Sequence, residues 1–229
     1  MERDIIETND GTKTLYIKDL NETYHSTHGA LQEAKHVFIE NGLKKVYYCD
    51  INILELGFGT GLNLLATIDE FLKTDKNHIV KYYTIEKYPI SSTEIAELAY
   101  FKLFNEKKIE EIFKKIHNSE WNVKIELVPN FFFKKIKDDF HYLDQMELPP
   151  INLVYFDCFG ARVQPDLWEI ELLKKIKNKM ADGGLLTTYS SKGSFRRALQ
   201  ELNFKVEKLK GPPGKREMIN AVLGMGDFS

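Results

Sequence analysis

Short apolar runs alternate with stretches of helical periodicity along most of the chain. The run INILEL, which begins at Ile51 and is followed by glycine, is typical of a strand buried on both faces. Further runs predict strands at 80–86, 123–128, 151–157, 184–190, 204–209 and 217–223. Helical spacing predicts helices at 62–72, from Ser91 onward, at 165–180 and at 193–202. Strands that alternate with helices predict βαβ units and a parallel sheet.

The first 48 residues have a different pattern. Residues 11–17 alternate polar and apolar side chains and predict a short strand. Residues 29–41 have apolar side chains at helical spacing, and Gly42 is a stop signal. We therefore predict a small N-terminal extension over residues 1–48 and a main domain over residues 49–229.

The connection between the last two predicted strands narrows the fold class. These strands are joined by Gly-Pro-Pro-Gly at 211–214, which is too short for a helical crossover. We therefore expect them to be antiparallel neighbours. A Rossmann-like, seven-stranded sheet with an antiparallel last strand is typical of class I S-adenosylmethionine-dependent methyltransferases, and differs from an all-parallel dinucleotide fold.

The composition is that of a folded protein. Of the 229 residues, 43% are hydrophobic, and no apolar run reaches the ~18 residues that a membrane span needs. The charged N-terminus lacks the apolar core of a signal peptide. Cys49 and Cys158 are too few for a disulfide framework, and the six histidines are scattered. We therefore expect a cytoplasmic protein that enters no membrane and binds no metal.

The sharpest local feature is G-x-G-x-G at 57–61, between a predicted buried strand and a predicted helix. Glycines let a ligand approach the backbone, and the helix N-terminus offers free N–H groups. A plain tight turn between a strand and a helix would also use glycine. The third glycine comes one residue earlier than in a dinucleotide pyrophosphate loop, which favours an adenosylmethionine site.

Two polar residues lie at the carboxyl ends of predicted strands. Glu86 ends the strand 80–86, where a carboxylate can accept both ribose hydroxyls of a nucleoside, although a solvated charge is the alternative. Asn130 follows the strand 123–128, where this fold often has an Asp that accepts from the adenine amino group. The amide oxygen of Asn130 could do the same, or Asn130 could be a turn residue.

Asp157 is the candidate catalytic residue. It ends the strand 151–157, and open α/β sheets bind ligands beyond the carboxyl ends of their strands. Amino-group methyltransferases have an Asp or Asn followed by an aromatic residue here to hold the acceptor amine. The alternative for Asp157 is a helix cap or a structural charge. Cys158 has no paired general base in the sequence, so we do not expect it to be a nucleophile.

Residues 192–216 contain eight basic residues and two acidic ones, although the net charge of the whole chain is −2. Such an asymmetry is typical of a surface that binds a phosphate backbone, but ordinary surface lysines would give the same count. Phe159, Tyr189 and Phe195 lie near predicted strand ends and could stack on an extruded base. Core packing is the alternative for each of the three.

Several blocks of the chain, in order and spacing, resemble one family. The blocks are ETYHSTHGA (22–30) with Glu33 and HVF (36–38), GFGTGLN (57–63), IEKYP (85–89), YFDCFGARVQPDLW (155–168), GGLLTTYSSKGSFRRAL (183–199) and PGKREM (213–218). They are similar to the MnmC/MnmD family, the tRNA methyltransferases that form 5-methylaminomethyl-2-thiouridine. Two residues depart from the pattern: Asn130 stands where the family usually has Asp, and Cys158 where it usually has Gly or Ala.

This resemblance implies that a methyl group passes from S-adenosylmethionine to the 5-aminomethyl group of the wobble uridine in tRNA. Bifunctional members add an FAD-dependent oxidase domain that exposes the amine. Nothing follows residue 229, so the chain resembles the stand-alone methyltransferase form, with a separate enzyme supplying the aminomethyl-uridine.

The resemblance also implies roles for individual residues. Cofactor contacts are implied for Tyr24, Ser26, Glu55, Gly57, Phe58, Gly59, Gly61, Asn63, Glu86, Lys87, Asn130 and Asp157, of which Asp157 is also catalytic. The resemblance and the basic stretch together imply substrate contacts for Phe159, Tyr189, Lys192, Arg196, Arg197, Lys215 and Arg216.

Two other functions stay open. A small-molecule amine transferase of the spermidine synthase type shares the glycine loop and an Asp after the fourth strand, but it would not need the basic stretch. A tRNA-binding protein without catalysis would need the basic stretch but not S-adenosylmethionine. The intact GFGTG loop and Asp157 argue against the second of these functions.

Overall fold

A mixed sheet of eight strands forms the centre of the protein in the computed structural model, which describes residues 2–9, 11–47, 49–74 and 78–224. A small antiparallel sheet precedes it in the chain. The strands are β1 (Arg3–Glu7), β2 (Lys13–Ile17), β3 (Glu22–Thr23), β4 (Asp50–Leu56), β5 (Ile79–Ile85), β6 (Ile125–Val128), β7 (Phe131–Ile136), β8 (Ile151–Phe156), β9 (Met180–Thr188), β10 (Phe204–Lys210) and β11 (Glu217–Leu223).

The order of the central strands is β10-β11-β9-β8-β4-β5-β7-β6. Strands β4, β5, β7, β8 and β9 are parallel, whereas β11 runs antiparallel to both β9 and β10. The predicted α/β class and the antiparallel last strand are therefore confirmed, whereas the predicted number of seven strands is one too few, because β7 was not predicted. Because β11 is antiparallel, its first residues lie at the edge of the sheet where the parallel strands end.

The structure differs from the prediction at the third parallel strand. That strand is β7, which pairs with β5, while the predicted strand 123–128 contains β6, an antiparallel edge strand. Asn130 has a positive φ of 68° in the tight connection between β6 and β7, a conformation that asparagine tolerates. Its carbonyl oxygen accepts a hydrogen bond from Val80 at the beginning of β5. Asn130 therefore lies at the amino edge of the parallel strands, opposite to its predicted position.

Helices cover both faces of the sheet. They are α1 (Ala30–Ala34), α2 (Leu62–Lys73), α3 (Ser92–Leu98), α4 (Lys108–Asn118), α5 (Ile170–Lys179) and α6 (Gly193–Glu201), with a π-helical turn at Lys35–Glu40 and 3₁₀ turns at Lys18–Leu20, Leu43–Lys45, Tyr100–Leu103, Phe140–Gln145 and Pro165–Trp168. Successive residues of β4 point to opposite faces. Ile53 belongs to the core with α2 and α4, and Leu54 to the core with α5 and α6.

The N-terminal elements pack on the α2 face of the sheet. The predicted helix 29–41 is present as α1 and the π-helical turn, and it is followed by Gly42 as expected. Phe38 of this turn lies in the same core as Tyr155 of β8, with 4.9 Å between the ring centroids. The boundary between residues 48 and 49 stays a prediction, since residue 48 lies outside the described residues and the two parts share this core.

None of the helices in the described part of the chain combines the length and the apolar composition that crossing a bilayer requires.

Candidate active site

A cavity of about 400 Å³ opens at the carboxyl edge of the parallel strands. Ligand sites of open α/β sheets lie at this edge because the loops that follow neighbouring strands converge there. The cavity is lined by the N-terminal segment 22–27, by residues that follow β4, β5, β7 and β8, by Tyr189 after β9 and by Lys215 before β11.

The glycine loop between β4 and α2 forms one side of the cavity. Gly57 has a φ of +98°, and a Cβ atom there would lie 2.9 Å from the carbonyl oxygen of Asp157. Gly59 has a φ of +49°, and a Cβ atom there would lie 3.1 Å from the ring of Tyr24. Both positions therefore need glycine, for backbone conformation and for space. Phe58 lines the cavity between them, whereas Gly61 caps α2 behind the Phe58 ring and does not line it.

Glu86 follows β5 and connects the glycine loop to the next loop. One carboxylate oxygen accepts a hydrogen bond from the Gly59 N–H (3.0 Å), and the other accepts from the Tyr88 N–H (2.7 Å). A carboxylate has about four lone-pair sites, so Glu86 can still accept hydroxyl groups of a ligand. Its position and bonding suit the predicted role at a ribose.

The loop after β7 supplies a residue that the sequence interpretation missed. Asp139 lines the cavity and pairs with the ammonium of Lys87 at 2.6 Å. Burial opposes its ionisation, but hydrogen bonds from the His141 backbone and from Lys87 lower the pKa of Asp139 to about 2. This acidic residue follows the true third parallel strand, so it takes the place that had been predicted for Asn130. The run FFFKKI followed by Lys-Asp-Asp was the signal in the sequence.

Asp157 follows β8 and lies beside the glycine loop. The amide nitrogen of Asn63 donates to a carboxylate oxygen of Asp157 at 2.8 Å and to Glu55 at 3.1 Å. Burial raises the pKa of Asp157 to about 7, although the hydrogen bond from Asn63 works in the opposite direction. Burial raises the pKa of Glu55 to about 8. Asn63 and Asp157 line the cavity, whereas Glu55 is fully buried in β4 behind them.

The N-terminal segment 22–27 packs against the glycine loop and forms another wall of the cavity. The ring of Tyr24 packs edge-on against Phe159 with 5.1 Å between centroids. His25 bonds to the Thr60 hydroxyl at 2.8 Å, and burial lowers the pKa of His25 to about 4, so its ring is neutral near pH 7. Tyr24, His25 and Ser26 thus line the cavity, and the cofactor contacts implied for Tyr24 and Ser26 stay predictions.

Lys215 and Glu33 form a charged pair in the lining of the cavity. The Lys215 ammonium lies 2.5 Å from a carboxylate oxygen of Glu33 and 3.7 Å from the centroid of the Tyr189 ring. The Tyr189 hydroxyl donates to the carbonyl oxygen of Cys158 at 2.8 Å. The Cys158 thiol is buried, and burial raises its pKa, so the thiolate form is disfavoured there.

Other predicted substrate residues lie outside the cavity. Lys192 and Arg197 are exposed at α6, and the side chain of Arg216 is 93% exposed. Arg196, also on α6, is only partly exposed. Phe195 is fully buried between Phe156 and Trp168, so the core-packing alternative applies to it.

Within the described residues, His, Cys, Asp and Glu side chains form no group of three or more that could hold a metal ion.

Comparison with protein families identifies the fold and the chemistry. A family model described as S-adenosyl-L-methionine-dependent methyltransferase matches residues 95–224. In the crystal structure of MNMC2 from Aquifex aeolicus, a chain that is 27% identical matches with a TM-score of 0.77 over 97% of this chain and 70% of that one. A probable spermidine synthase from Corynebacterium glutamicum matches with a TM-score of 0.55 over 99% of this chain and 78% of that one. At 13% identity, that match indicates a shared fold only.

Two curated relatives carry the same name, tRNA 5-methylaminomethyl-2-thiouridine biosynthesis bifunctional protein MnmC. The one from Leptospira borgpetersenii is 29% identical over 215 residues, which cover 87% of this chain and 32% of the relative. The one from Campylobacter fetus is 27% identical over 216 residues, which cover 91% of this chain and 34% of the relative. The chain thus spans about a third of the length of these relatives. Since the matched family model covers more than half of the chain, and the glycine loop, Glu86 and Asp157 meet in one cavity, this chain belongs to the S-adenosyl-L-methionine-dependent methyltransferase family.

Proposed function

We propose that this chain transfers a methyl group from S-adenosylmethionine to the 5-aminomethyl group of the wobble uridine in tRNA, giving 5-methylaminomethyl(-2-thio)uridine. The observation that carries the proposal is the meeting of Asp157 with the glycine loop and Glu86 in one cavity. The printed name of the MnmC relatives, which match 87% to 91% of the chain, supports this choice of product.

The donor half of the proposed site lies over β4, β5 and β7. The loop residues Gly57, Phe58 and Gly59 line the cavity and can contact a ligand, and the Glu86 carboxylate suits ribose hydroxyls. We assign the remaining donor contacts to Tyr24, Ser26, Phe58, Asn63, Lys87 and Asp139, all of which line the cavity. When bound, S-adenosylmethionine supplies an electrophilic methyl group on a sulfonium.

The acceptor amine must be neutral to react. A free alkyl amine with a pKa of ~10.4 is protonated at pH 7, and reaching the neutral form costs about 4–5 kcal/mol. Desolvation in the cavity lowers that cost, whereas the Asp157 carboxylate raises it. We therefore assign Asp157 to orient an N–H of the amine and to stabilise the positive charge that develops on nitrogen.

The methyl transfer itself needs no further co-reactant. The nitrogen lone pair forms the new N–C bond, and the electrons of the breaking S–C bond go to sulfur. The product is a secondary ammonium, which releases one proton to solvent when it becomes the neutral amine. The role of Asp157 is thus electrostatic and positional, so no strong base is needed in the cavity.

The exposed basic residues of 192–216 form the proposed tRNA surface. Lys192, Arg197 and Arg216 project outside the cavity, where they can contact phosphates without choosing a base. The aminomethyl-uridine would come from a separate enzyme, and the reaction would take place in the cytoplasm.

Nucleoside mass spectrometry tests the proposal. Hypomodified tRNA containing 5-aminomethyl-uridine is incubated with the protein and S-adenosylmethionine, and the digested nucleosides are compared with a sample without donor. We expect the aminomethyl nucleoside to gain one methyl group at its nitrogen. A second sample receives putrescine and decarboxylated donor instead of tRNA. Formation of spermidine in this second sample, together with unmethylated tRNA in the first, would instead identify a small-molecule transferase.

A further inference from the structure

Lys215 differs in position from its basic neighbours in the chain. Its side chain is 34% exposed, compared with 93% for Arg216, and it lines the same cavity as Asp157. Because β11 runs antiparallel, the turn before it lies at the carboxyl edge of β9. Hydrogen bonds from Gly211 N–H to Arg216 (3.2 Å) and from Lys215 N–H to Pro212 (2.9 Å) close this turn. The backbone therefore directs Lys215 to the cavity rather than to the outer surface.

The Lys215 ammonium is anchored on two sides. Glu33, which is only 8% exposed, pairs with it, and the other oxygen of Glu33 accepts a hydrogen bond from the Ser26 N–H at 3.0 Å. The Tyr189 ring lies 3.7 Å away on another side. An ammonium has three N–H donors. Among the described residues, Glu33 is its hydrogen-bond acceptor, which leaves donors for a ligand in the cavity.

Lys215 lies in the acceptor half of the cavity. The glycine loop follows β4 and Glu86 follows β5, while Asp157 follows β8, which pairs with β4. Tyr189 follows β9 and Lys215 precedes β11, on the other side of Asp157 in the sheet order. If the donor covers β4 and β5, the acceptor base must lie on the side of Lys215.

We propose, on the basis of the proposed function, that Lys215 donates a hydrogen bond to the O4 carbonyl of the acceptor uracil and that Glu33 is the residue that positions it. The aminomethyl group stands on C5 and the carbonyl on the neighbouring C4. A base whose amine meets Asp157 therefore brings O4 to the same part of the cavity. Cytosine has an amino group at C4, which is a donor and would face the Lys215 donors. Lys215 thus selects uracil over cytosine.

A cycle that changes one protein group and one substrate atom tests this contact. The protein variants are Lys215→Met and the double variant Glu33→Gln/Lys215→Met, which avoids leaving the buried carboxylate unpaired. The substrates are tRNAs, assembled by ligation, with 5-aminomethyl-uridine or its 4-thio analogue, since sulfur is a weak acceptor. The control is Lys114→Met, because Lys114 lies on α4, is 64% exposed and pairs with Glu110.

We expect Lys215→Met to lower kcat/KM for the O4 substrate by roughly 10- to 100-fold, the range for a hydrogen bond to a charged group. With the wild-type protein, replacing O4 by sulfur should lower kcat/KM by a similar factor. With either variant, the same replacement should lower kcat/KM by less than about twofold. If the 4-thio substitution lowers kcat/KM of the variants by the same factor as that of the wild type, the proposed contact between Lys215 and O4 is wrong.

Two further measurements separate other roles of Lys215. Calorimetry with S-adenosylmethionine should give the same Kd for Lys215→Met and wild type, and a tenfold weaker Kd would instead assign Lys215 to the donor. The salt dependence of tRNA binding should keep its slope, and a flatter slope would instead assign Lys215 to a phosphate. If the wild-type protein does not methylate the O4 substrate, the proposed function is wrong. If it does, but sulfur has the same effect in the wild type and the variants, only the proposed role of Lys215 is wrong.

Discussion

The amide nitrogen of Asn63 lies 2.8 Å from a carboxylate oxygen of Asp157 and donates a second hydrogen bond to Glu55 at 3.1 Å. One amide thus connects α2, β4 and the loop after β8. Burial raises the pKa of both carboxyl groups, to about 7 for Asp157 and about 8 for Glu55. A charge on Asp157 also raises the pKa of Glu55, so the shared burial disfavours the state in which both groups are ionised.

Replacement of Asp157 by Asn tests this charge. The Asn side chain still offers an oxygen to Asn63, so the geometry should be kept while the charge is lost. We expect Asp157→Asn to lower the single-turnover rate at saturating donor by about 100-fold or more, the typical cost of an electrostatic contact to a transition state. A rate within twofold of wild type would exclude Asp157 from the chemistry.

The pH profile of kcat/KM gives an independent readout. The fraction of ionised Asp157 rises with pH through about 7, and the fraction of neutral amine rises with pH up to its own pKa. We therefore expect the wild-type logarithmic profile to rise with a slope near two below pH 7 and near one above it. Asp157→Asn should show a slope near one throughout, and an unchanged break near pH 7 would assign the titration to another group.

Replacement of Glu86 by Gln should weaken the donor site. The carboxylate accepts N–H bonds from Gly59 and Tyr88, so an amide NH₂ in place of one oxygen would face a backbone donor. We expect donor affinity to fall by roughly tenfold or more, as for loss of a hydrogen bond to a charged group. Titration calorimetry measures this, with Glu97→Gln, on α3 outside the cavity lining, as the control. Equal affinities in wild type and Glu86→Gln would contradict the ribose assignment.

The exposed basic residues should control tRNA affinity. We expect Arg197→Ala and Arg216→Ala each to weaken tRNA binding and to reduce the slope of log K against log salt by about 0.7–0.9 per lost contact. Filter binding over a salt series measures the slope, with Lys114→Ala as the control. Arg216 also lies 3.8 Å from Glu217, so thermal melts must accompany the binding series. A lower melting temperature with an unchanged slope would assign Arg216 to the fold instead.

Lys135 should make stability depend on alkaline pH. This side chain is 2% exposed, donates to the carbonyls of Ile116 and His117 at the end of α4, and has a pKa that burial lowers to about 8. Between about pH 8 and 10.5 the unfolded chain binds more protons than the folded protein, so the free energy of unfolding rises with pH there. We expect the rise to exceed that of Lys135→Met by about 1–2 kcal/mol, measured by urea unfolding. Parallel curves for both proteins would refute this expectation.

Local patterns in the sequence determined much of the fold and of the proposed donor site. A buried apolar run followed by closely spaced glycines specifies a strand, a turn and a helix within a few residues, because backbone conformation is decided locally. The same holds for Glu86 and Asp157, which follow apolar runs. Each of these residues lies at the cavity because the parallel strands all end at one edge.

Pairing in the tertiary structure decided which segment forms the third parallel strand. The runs at 125–128 and 131–136 are both compatible with a strand, and only pairing with β5 makes the second run the parallel one. That choice removes Asn130 from the site and brings Asp139 into it.

The part of the cavity proposed to hold the acceptor is the part that depends most on long-range contacts. By sequence alone Lys215 is one of eight basic residues in the stretch 192–216, and Glu33 lies 182 positions away from it. Local charge counts cannot distinguish a surface lysine from one in a cavity. The antiparallel direction of β11 brings Lys215 to the carboxyl edge, and packing of α1 on the sheet brings Glu33 there. Two charges that are distant in the chain therefore meet because desolvation at the cavity favours their pairing over leaving either one alone.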